Sequence, residues 1–207
     1  MRKTLILAAL LAATPFAAQA ADGLSYTFVE GGYTHAEMDL GDGFGNPKAD
    51  GGYLRGSYAL TDATYVFGGY SRVSDSTSEA GLKVEADLDQ YELGLGWHMP
   101  MTERIDFTAE AAYVRLDVKT KASFGGVSAS DSDAMNAGRV TLGLRGTPSA
   151  RTEAWAKAGA MDGSDMDSEF VGNLGGQFKF NPTWGLVGDI NWIGDVTQYS
   201  VGVRASF

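Results

Sequence analysis

The chain has 207 residues, with 26 acidic against 16 basic side chains, a net charge of −10, 28 Gly, 5 Pro and no Cys. An acidic balance argues against nucleic acid as a partner. Without cysteine the fold cannot rest on disulfides, so it must hold by packing or by a closed hydrogen-bond network.

Taken in order, the chain opens with Arg2 and Lys3, an apolar run from Leu5 to Ala13, and the small-residue triplet Ala18-Gln19-Ala20. This predicts a signal peptide over 1–20, cut after Ala20, followed by one domain over 21–207. The run is shorter than the ~20 residues of a spanning helix. Loss of Arg2 and Lys3 takes the net charge from −10 to −12.

Ten segments with a period of two follow, the spacing of strands with one apolar and one polar face. Leu24–Glu37 sets Tyr26, Phe28 and Glu30 against Val29, Gly31 and Tyr33. A Gly/Asp/Pro-rich linker, Asp39–Ala49, leads to Gly51–Leu60, with Leu54 and Tyr58 outward and Tyr53, Arg55 and Ser57 inward. Thr64–Val73 is expected to turn Tyr65, Phe67 and Val73 outward and Arg72 inward, and Ser74–Glu85 reads as loop. Asp87–Met99 alternates most cleanly: Tyr91, Leu93, Leu95, Trp97 and Met99 on one face, Gln90, Glu92 and His98 on the other. Ile105–Asp117 opposes Phe107 and Tyr113 to Asp106, Thr108 and Glu110, and Lys119–Asp133 reads as a Ser/Gly-rich loop.

Met135–Gly146 carries Val140, Leu142 and Leu144 outward and Arg139, Thr141 and Arg145 inward. In Thr152–Ala160 the outer face is only alanine, with Glu153, Trp155 and Lys157 facing in. The acidic stretch Asp162–Ser168 reads as loop. Glu169–Phe180 sets Phe170, Leu174 and Phe178 against Asn173, Gln177 and Lys179, and Trp184–Ile193 opposes Leu186 and Ile190 to Val187 and Asp189. The final segment places Tyr199, Val201, Val203 and Phe207 on one face and Arg204 on the other.

Short turns alternate with longer linkers, and most segments match the ~9–11 residues of a tilted transmembrane strand. The pattern predicts an all-β, antiparallel, up-and-down transmembrane barrel of ten strands, or eight if the alanine-faced segment fails. Aromatics near strand ends (Tyr65, Trp97, Phe107, Phe180, Trp184, Trp192, Phe207) suit interfacial girdles. The polar faces gather Glu30, Arg55, Arg72, Glu92, Asp106, Glu110, Arg139, Arg145, Glu153, Lys157, Lys179, Asp189 and Arg204. Near-balance of sign in so acidic a protein fits a narrow interior, where a charge is costly unless paired. It does not fit the water-facing surface of a soluble barrel. The expectation is a plugged or very narrow lumen.

Chemistry-bearing motifs are sparse. His35 and His98 fall at opposite rims, too far apart to share a metal or a proton, and Asp75-Ser76, Asp131-Ser132 and Asp167-Ser168 single out no triad with His35. Asp162, Asp165, Asp167 and Glu169 are oxygen ligands at a spacing that could hold Ca²⁺, without the full twelve-residue loop pattern. No cofactor is expected. The expected protein is non-enzymatic and monomeric, in contact with outer-membrane lipid and lipopolysaccharide.

The ending on Phe207 resembles the terminal signal that the barrel-assembly machinery reads in bacterial outer-membrane barrels, here carried by Tyr199, Val201, Val203 and Phe207. The stretch Leu24–Tyr33, Phe67-Gly68-Gly69-Tyr70 and Phe178–Leu186 extend the likeness. Together they resemble the small xanthomonad outer-membrane proteins once described as activators of a rice immune receptor and as quorum signals. That resemblance implies an outer-membrane barrel and, at Tyr26, the position of a sulfated tyrosine in a signalling segment. The interior placement of Tyr26 argues against release of that segment. Three roles follow as expectations: envelope integrity or surface interaction, a narrow pore for a small solute, or a secreted signal precursor.

Overall fold

The computed structural model describes residues 24–39, 46–79, 82–124, 127–164 and 166–207. The expected signal peptide, most of the Asp39–Ala49 linker, and Asp165 lie outside them. Ten strands form among the described residues: β1 (Phe28–Met38), β2 (Lys48–Ala59), β3 (Thr64–Glu79), β4 (Leu82–Thr102), β5 (Ile105–Phe124), β6 (Val127–Ser149), β7 (Thr152–Gly163), β8 (Met166–Lys179), β9 (Trp184–Ile193) and β10 (Val196–Ser206). Each pairs antiparallel with its neighbours in sequence, and β1 pairs with β10 from Phe28↔Ser206 to Met38↔Val196, closing the barrel. Beyond that seam, Phe207 N–H donates to the Thr27 carbonyl at 2.9 Å and Ser25 Oγ donates to the Phe207 carbonyl at 2.6 Å.

The two faces of this ladder meet opposite environments. Leu93, Leu95, Leu54, Leu142 and Phe170 stand exposed on the outside, Leu93 at 64%. Glu30, Glu110, Glu153, Asp189, Arg145 and Arg204 are buried inside. An apolar outer belt over a charged interior is stable only where the outside is hydrocarbon. This is a transmembrane barrel. The alanine-faced segment is a full strand, β7: Ala154, Ala156, Ala158 and Ala160 alternate with inward Glu153, Trp155 and Lys157.

The β2–β3, β4–β5, β6–β7 and β8–β9 turns sit at the end that carries both described termini. Asn181 Oδ1 accepts the backbone N–H groups of Thr183 (3.0 Å) and Trp184 (2.8 Å), an Asx turn that sets the β8–β9 register. At the β2–β3 turn, Leu60 N–H donates to the Thr64 carbonyl at 2.8 Å, pairing Ala59 with Tyr65.

That turn overturns the expected faces of β3. Ala59 shares the inner face with Ser57, so Tyr65 is inside at 4% exposure, together with Phe67 and Val73, while Arg72 points outward. Both faces of Thr64–Val73 carry aromatic or aliphatic residues, so periodicity alone cannot choose between them; the turn does. Tyr65 therefore leaves the expected girdle and Arg72 leaves the expected interior.

The linkers read as loops at Ser74–Glu85 and Lys119–Asp133 are also different. They continue the ladder, from Ser74↔Asp87 to Glu79↔Leu82 and from Lys119↔Ser132 to Phe124↔Val127. β4, β5 and β6 have 21, 20 and 23 residues, against 10 in β9. At ~3.4 Å per residue and a tilt of ~40°, these strands rise roughly 25 Å higher than β9. Above the membrane both strand faces meet water or protein, so no apolar outer face is needed and polar composition is compatible with a strand. The Asp162–Ser168 stretch likewise splits between the ends of β7 and β8.

In the tall strands the pattern inverts. Along β4 the inward positions run His98, Gly96, Gly94, Glu92, Gln90, then Leu88, Ala86, Val84, while the outward ones run Trp97, Leu95, Leu93, Tyr91, then Asp89, Asp87, Glu85. β5 inverts at the same level, from Tyr113 to Arg115 outside and from Ala112 to Val114 inside. The inversion marks the outer edge of the hydrocarbon layer.

Two outcomes are expected. Leu95→Lys, in mid-belt, should destabilise the barrel in lipid vesicles by about 2–4 kcal/mol, read as a lower urea midpoint. Amides of residues 84–88 and 116–122 should be protected in hydrogen exchange as ladder residues are, where a loop would exchange at once.

Candidate functional site: the lumen

Period-two alternation points six cations and six carboxylates into the membrane-level lumen, and each cation meets a carboxylate. Arg204 reaches Glu30 Oε2 at 2.5 Å, and its guanidinium lies 4.0 Å from the Phe28 ring centre. Arg55 bridges Asp189 (2.9 Å) and Glu30 (3.4 Å) and stacks on Tyr53. One step nearer the turns, Arg145 (2.6 Å) and Lys179 (2.7 Å) share the fully buried Glu153. Lys157 pairs with Glu110 at 2.6 Å, where the Tyr65 hydroxyl also donates, and Arg139 pairs with Glu92.

The sixth carboxylate, Asp106, accepts from the Tyr26 hydroxyl at 2.9 Å and lies 3.1 Å from His98 Nδ1; the Tyr26 and His98 rings stack at 3.8 Å. Bulky interior rings fit because small residues face them across the ladder. Tyr65 lies over Gly96 and Trp155 over Gly175, where a Cβ would collide with the indole at 2.6 Å.

A second layer, not anticipated from the sequence, covers this network towards the tall strands. Val114, Ala137, Met161 and Val171, all at most 5% exposed, form an apolar cluster inside the barrel, with Leu116 and Ile193 packed on it. Its signal was present in the inversion of β4 and β5, which turns aliphatics inward above the belt. Between charges and walls remains a cavity of about 170 Å³, touched by Glu30, Arg55, Glu92, Arg139, Trp155 and Val171.

The other expected site residues are dispersed. Arg72, on the outside, pairs with Asp87 at 2.9 Å. His35 faces outward at the far rim and lies 2.6 Å from Asp50 and 3.1 Å from Glu37. Strand alternation puts Asp162 on the outer face of β7 and Glu169 on the inner face of β8, with Asp167 at the register shift between the two strands; among the described residues no group of three or more potential ligands is placed to hold a metal. Tyr199, Val201 and Val203 are outward and exposed, with Phe207 at the seam. On the outer wall, the Lys83 ammonium 2.6 Å from Glu85 holds that carboxyl below the usual carboxylate range.

The architecture defines a class of fold: the closed, antiparallel, up-and-down transmembrane barrel. No family model and no curated relative matches the chain. Among solved structures it is similar to the translocator domain of the autotransporter NalP from Neisseria meningitidis, at 16% identity, TM-score 0.58, covering 100% of this chain and 96% of that one. It is also similar to Ail, the attachment invasion locus protein of Yersinia pestis, in complex with the heparin analogue sucrose octasulfate: 15% identity, TM-score 0.52, 87% and 97% covered. At these identities the likeness is one of fold.

Glu153→Ala would remove the buried carboxylate that Arg145 and Lys179 share, and is expected to cost about 3–5 kcal/mol in urea unfolding of the vesicle-inserted barrel. Glu85→Ala, on an exposed pair, should leave the midpoint unmoved.

Proposed function

We propose that this chain serves as a closed, non-enzymatic outer-membrane barrel, in envelope integrity or surface interaction, with its tall β3–β6 wall as the part presented outside the cell. The observation that carries this reading is the neutrality of the lumen. Six cations pair with five carboxylates across a narrow bore, the sixth carboxylate, Asp106, is held by Tyr26 and His98, and an apolar layer lies above them. Ions crossing it would have to part pairs held at low dielectric, which opposes a steady current. The wall supports a surface role because it lifts a paired, hydrogen-bonded sheet well clear of the lipid.

A second reading, a narrow pore for a small solute, is favoured by the cavity beside Arg139 and Glu92. The signal-precursor reading has the seam against it: β1 is paired along its whole length with β10 and nearly so with β2, and Tyr26 is buried against Asp106. Freeing that segment would open the barrel.

Conductance of the refolded barrel in a planar bilayer, across a range of salt, separates the first two. A silent bilayer holding folded protein is expected. Openings that scale with salt would establish the pore and overturn the closed reading.

A further inference from the structure

The outward face of the wall gathers Arg72, Arg115 and Lys119 just above the apolar belt. Arg72 and Arg115 stand two residues beyond Tyr70 and Tyr113, the last outward aromatics of β3 and β5. At ~2.5 Å of height per tilted residue, that is about 5 Å above the hydrocarbon edge, inside the headgroup zone. Lys119 lies further up β5, yet its side chain turns back towards the membrane, with Nζ 3.4 Å from Asp89 Oδ2.

Asp89 anchors the group. Its side chain is only 4% exposed, it accepts from the Tyr70 hydroxyl at 2.6 Å, and it has Arg72 Nε at 3.9 Å on one side and Lys119 on the other. Arg115 follows one strand along, 2.9 Å from Asp117. The three cations stay about half exposed on the side facing the lipid, with 51%, 45% and 56% of their side-chain surface open for Arg72, Arg115 and Lys119. These pairs engage Nε and one amino group of Arg72, Nε of Arg115 and the ammonium of Lys119. Around the rest of the barrel the outward positions at this level include Asp50 with its partner His35, Asp162 and Trp192. Asp87, 2.9 Å from Arg72, completes three carboxylates against the three cations, so the feature to explain is the gathering of two guanidinium groups and an ammonium, each about half exposed, at headgroup height.

We propose that the outer face of β3–β5, centred on Arg72, Arg115 and Lys119 around Asp89, binds the phosphate groups of the outer leaflet's glycolipid, lipopolysaccharide. Guanidinium groups match phosphate oxygens in fork geometry and the ammonium adds a point charge. Tyr91 and Tyr113 lie beneath, where acyl chains meet the sugar. The proposal rests on the barrel spanning the outer membrane, and the test keeps the two apart.

The refolded full chain is first inserted into neutral phosphatidylcholine vesicles and checked by protease protection. It is then offered bisphosphorylated lipid A, or the same lipid stripped of phosphate, in detergent with EDTA to remove bridging cations. Lipid retained on the barrel is counted by native mass spectrometry. The wild type should retain the phosphorylated form at least about ten-fold better. Arg72→Gln/Arg115→Gln/Lys119→Gln should bring that ratio near one, whereas Lys48→Gln, at the β1–β2 rim, should preserve it. If the triple variant does not fold, Lys119→Gln alone should lower the ratio about three-fold. Equal retention of the two lipids by wild type that inserts normally would overturn the proposal and leave the transmembrane reading intact. Failure to insert would sink that reading instead. A ratio unchanged in the folded triple variant, or in Lys119→Gln where the triple variant does not fold, would place the phosphate site elsewhere and also overturn it.

Discussion

Everything in this molecule follows from one requirement: a chain crossing hydrocarbon must pair every backbone N–H and C=O internally. Strands can meet it only by closing, and here the eleven-pair seam between β1 and β10 does so. Closure then commits alternate side chains to two separated environments. The outer set can be Leu, Val, Phe or merely Ala, because lipid makes no packing demand as specific as a protein core does. The inner set has to fit a bore about as wide as two or three side chains, so it is where the sequence is most constrained.

Inside, charge neutrality substitutes for solvation. Glu153 between Arg145 and Lys179, and Glu30 between Arg204 and Arg55, are shared carboxylates, each balanced by further cation–carboxylate pairs nearby. Aromatic rings cover the guanidinium faces: Phe28 and Trp155 for Arg204, Tyr26 for Arg145, Tyr53 for Arg55. Such a network ties eight or more strands to one another across the lumen, which no contact on the lipid side could do. Rigidity and a closed bore are two consequences of the same pairing.

Above the hydrocarbon edge the solvent changes and so does the logic. The tall strands become a water-soluble sheet, charged outside and aliphatic inside, and the Val114–Ala137–Met161–Val171 cluster is its small core. One continuous strand such as β4 therefore obeys two opposite patterns, with the change falling between Tyr91 and Asp89. The tyrosines at that boundary suit both sides, with an apolar ring and a polar tip. The charged residues just beyond them stand at headgroup height and face outward, because strand alternation continues past the belt.

Most of the barrel was legible in the sequence. The period of two, the alternation of short and long linkers and the balance of charge on the polar faces indicate a ten-strand transmembrane barrel with Glu30, Arg55, Glu110, Arg145 and Arg204 inside. These are local properties, written in each strand separately. Three things were not local. The faces of β3 were undecided by a segment apolar on both sides, and the β2–β3 turn register chose Tyr65 in and Arg72 out. The extent of β3–β6 was hidden because polar strands in water look like loops until a partner strand is seen to pair with them. The grouping of Tyr26, His98 and Asp106, or of Arg72, Lys119 and Asp89, depends on which residues from distant strands stand level. Alternation tells each residue which way to face; only the register across the closed ladder decides whom it meets.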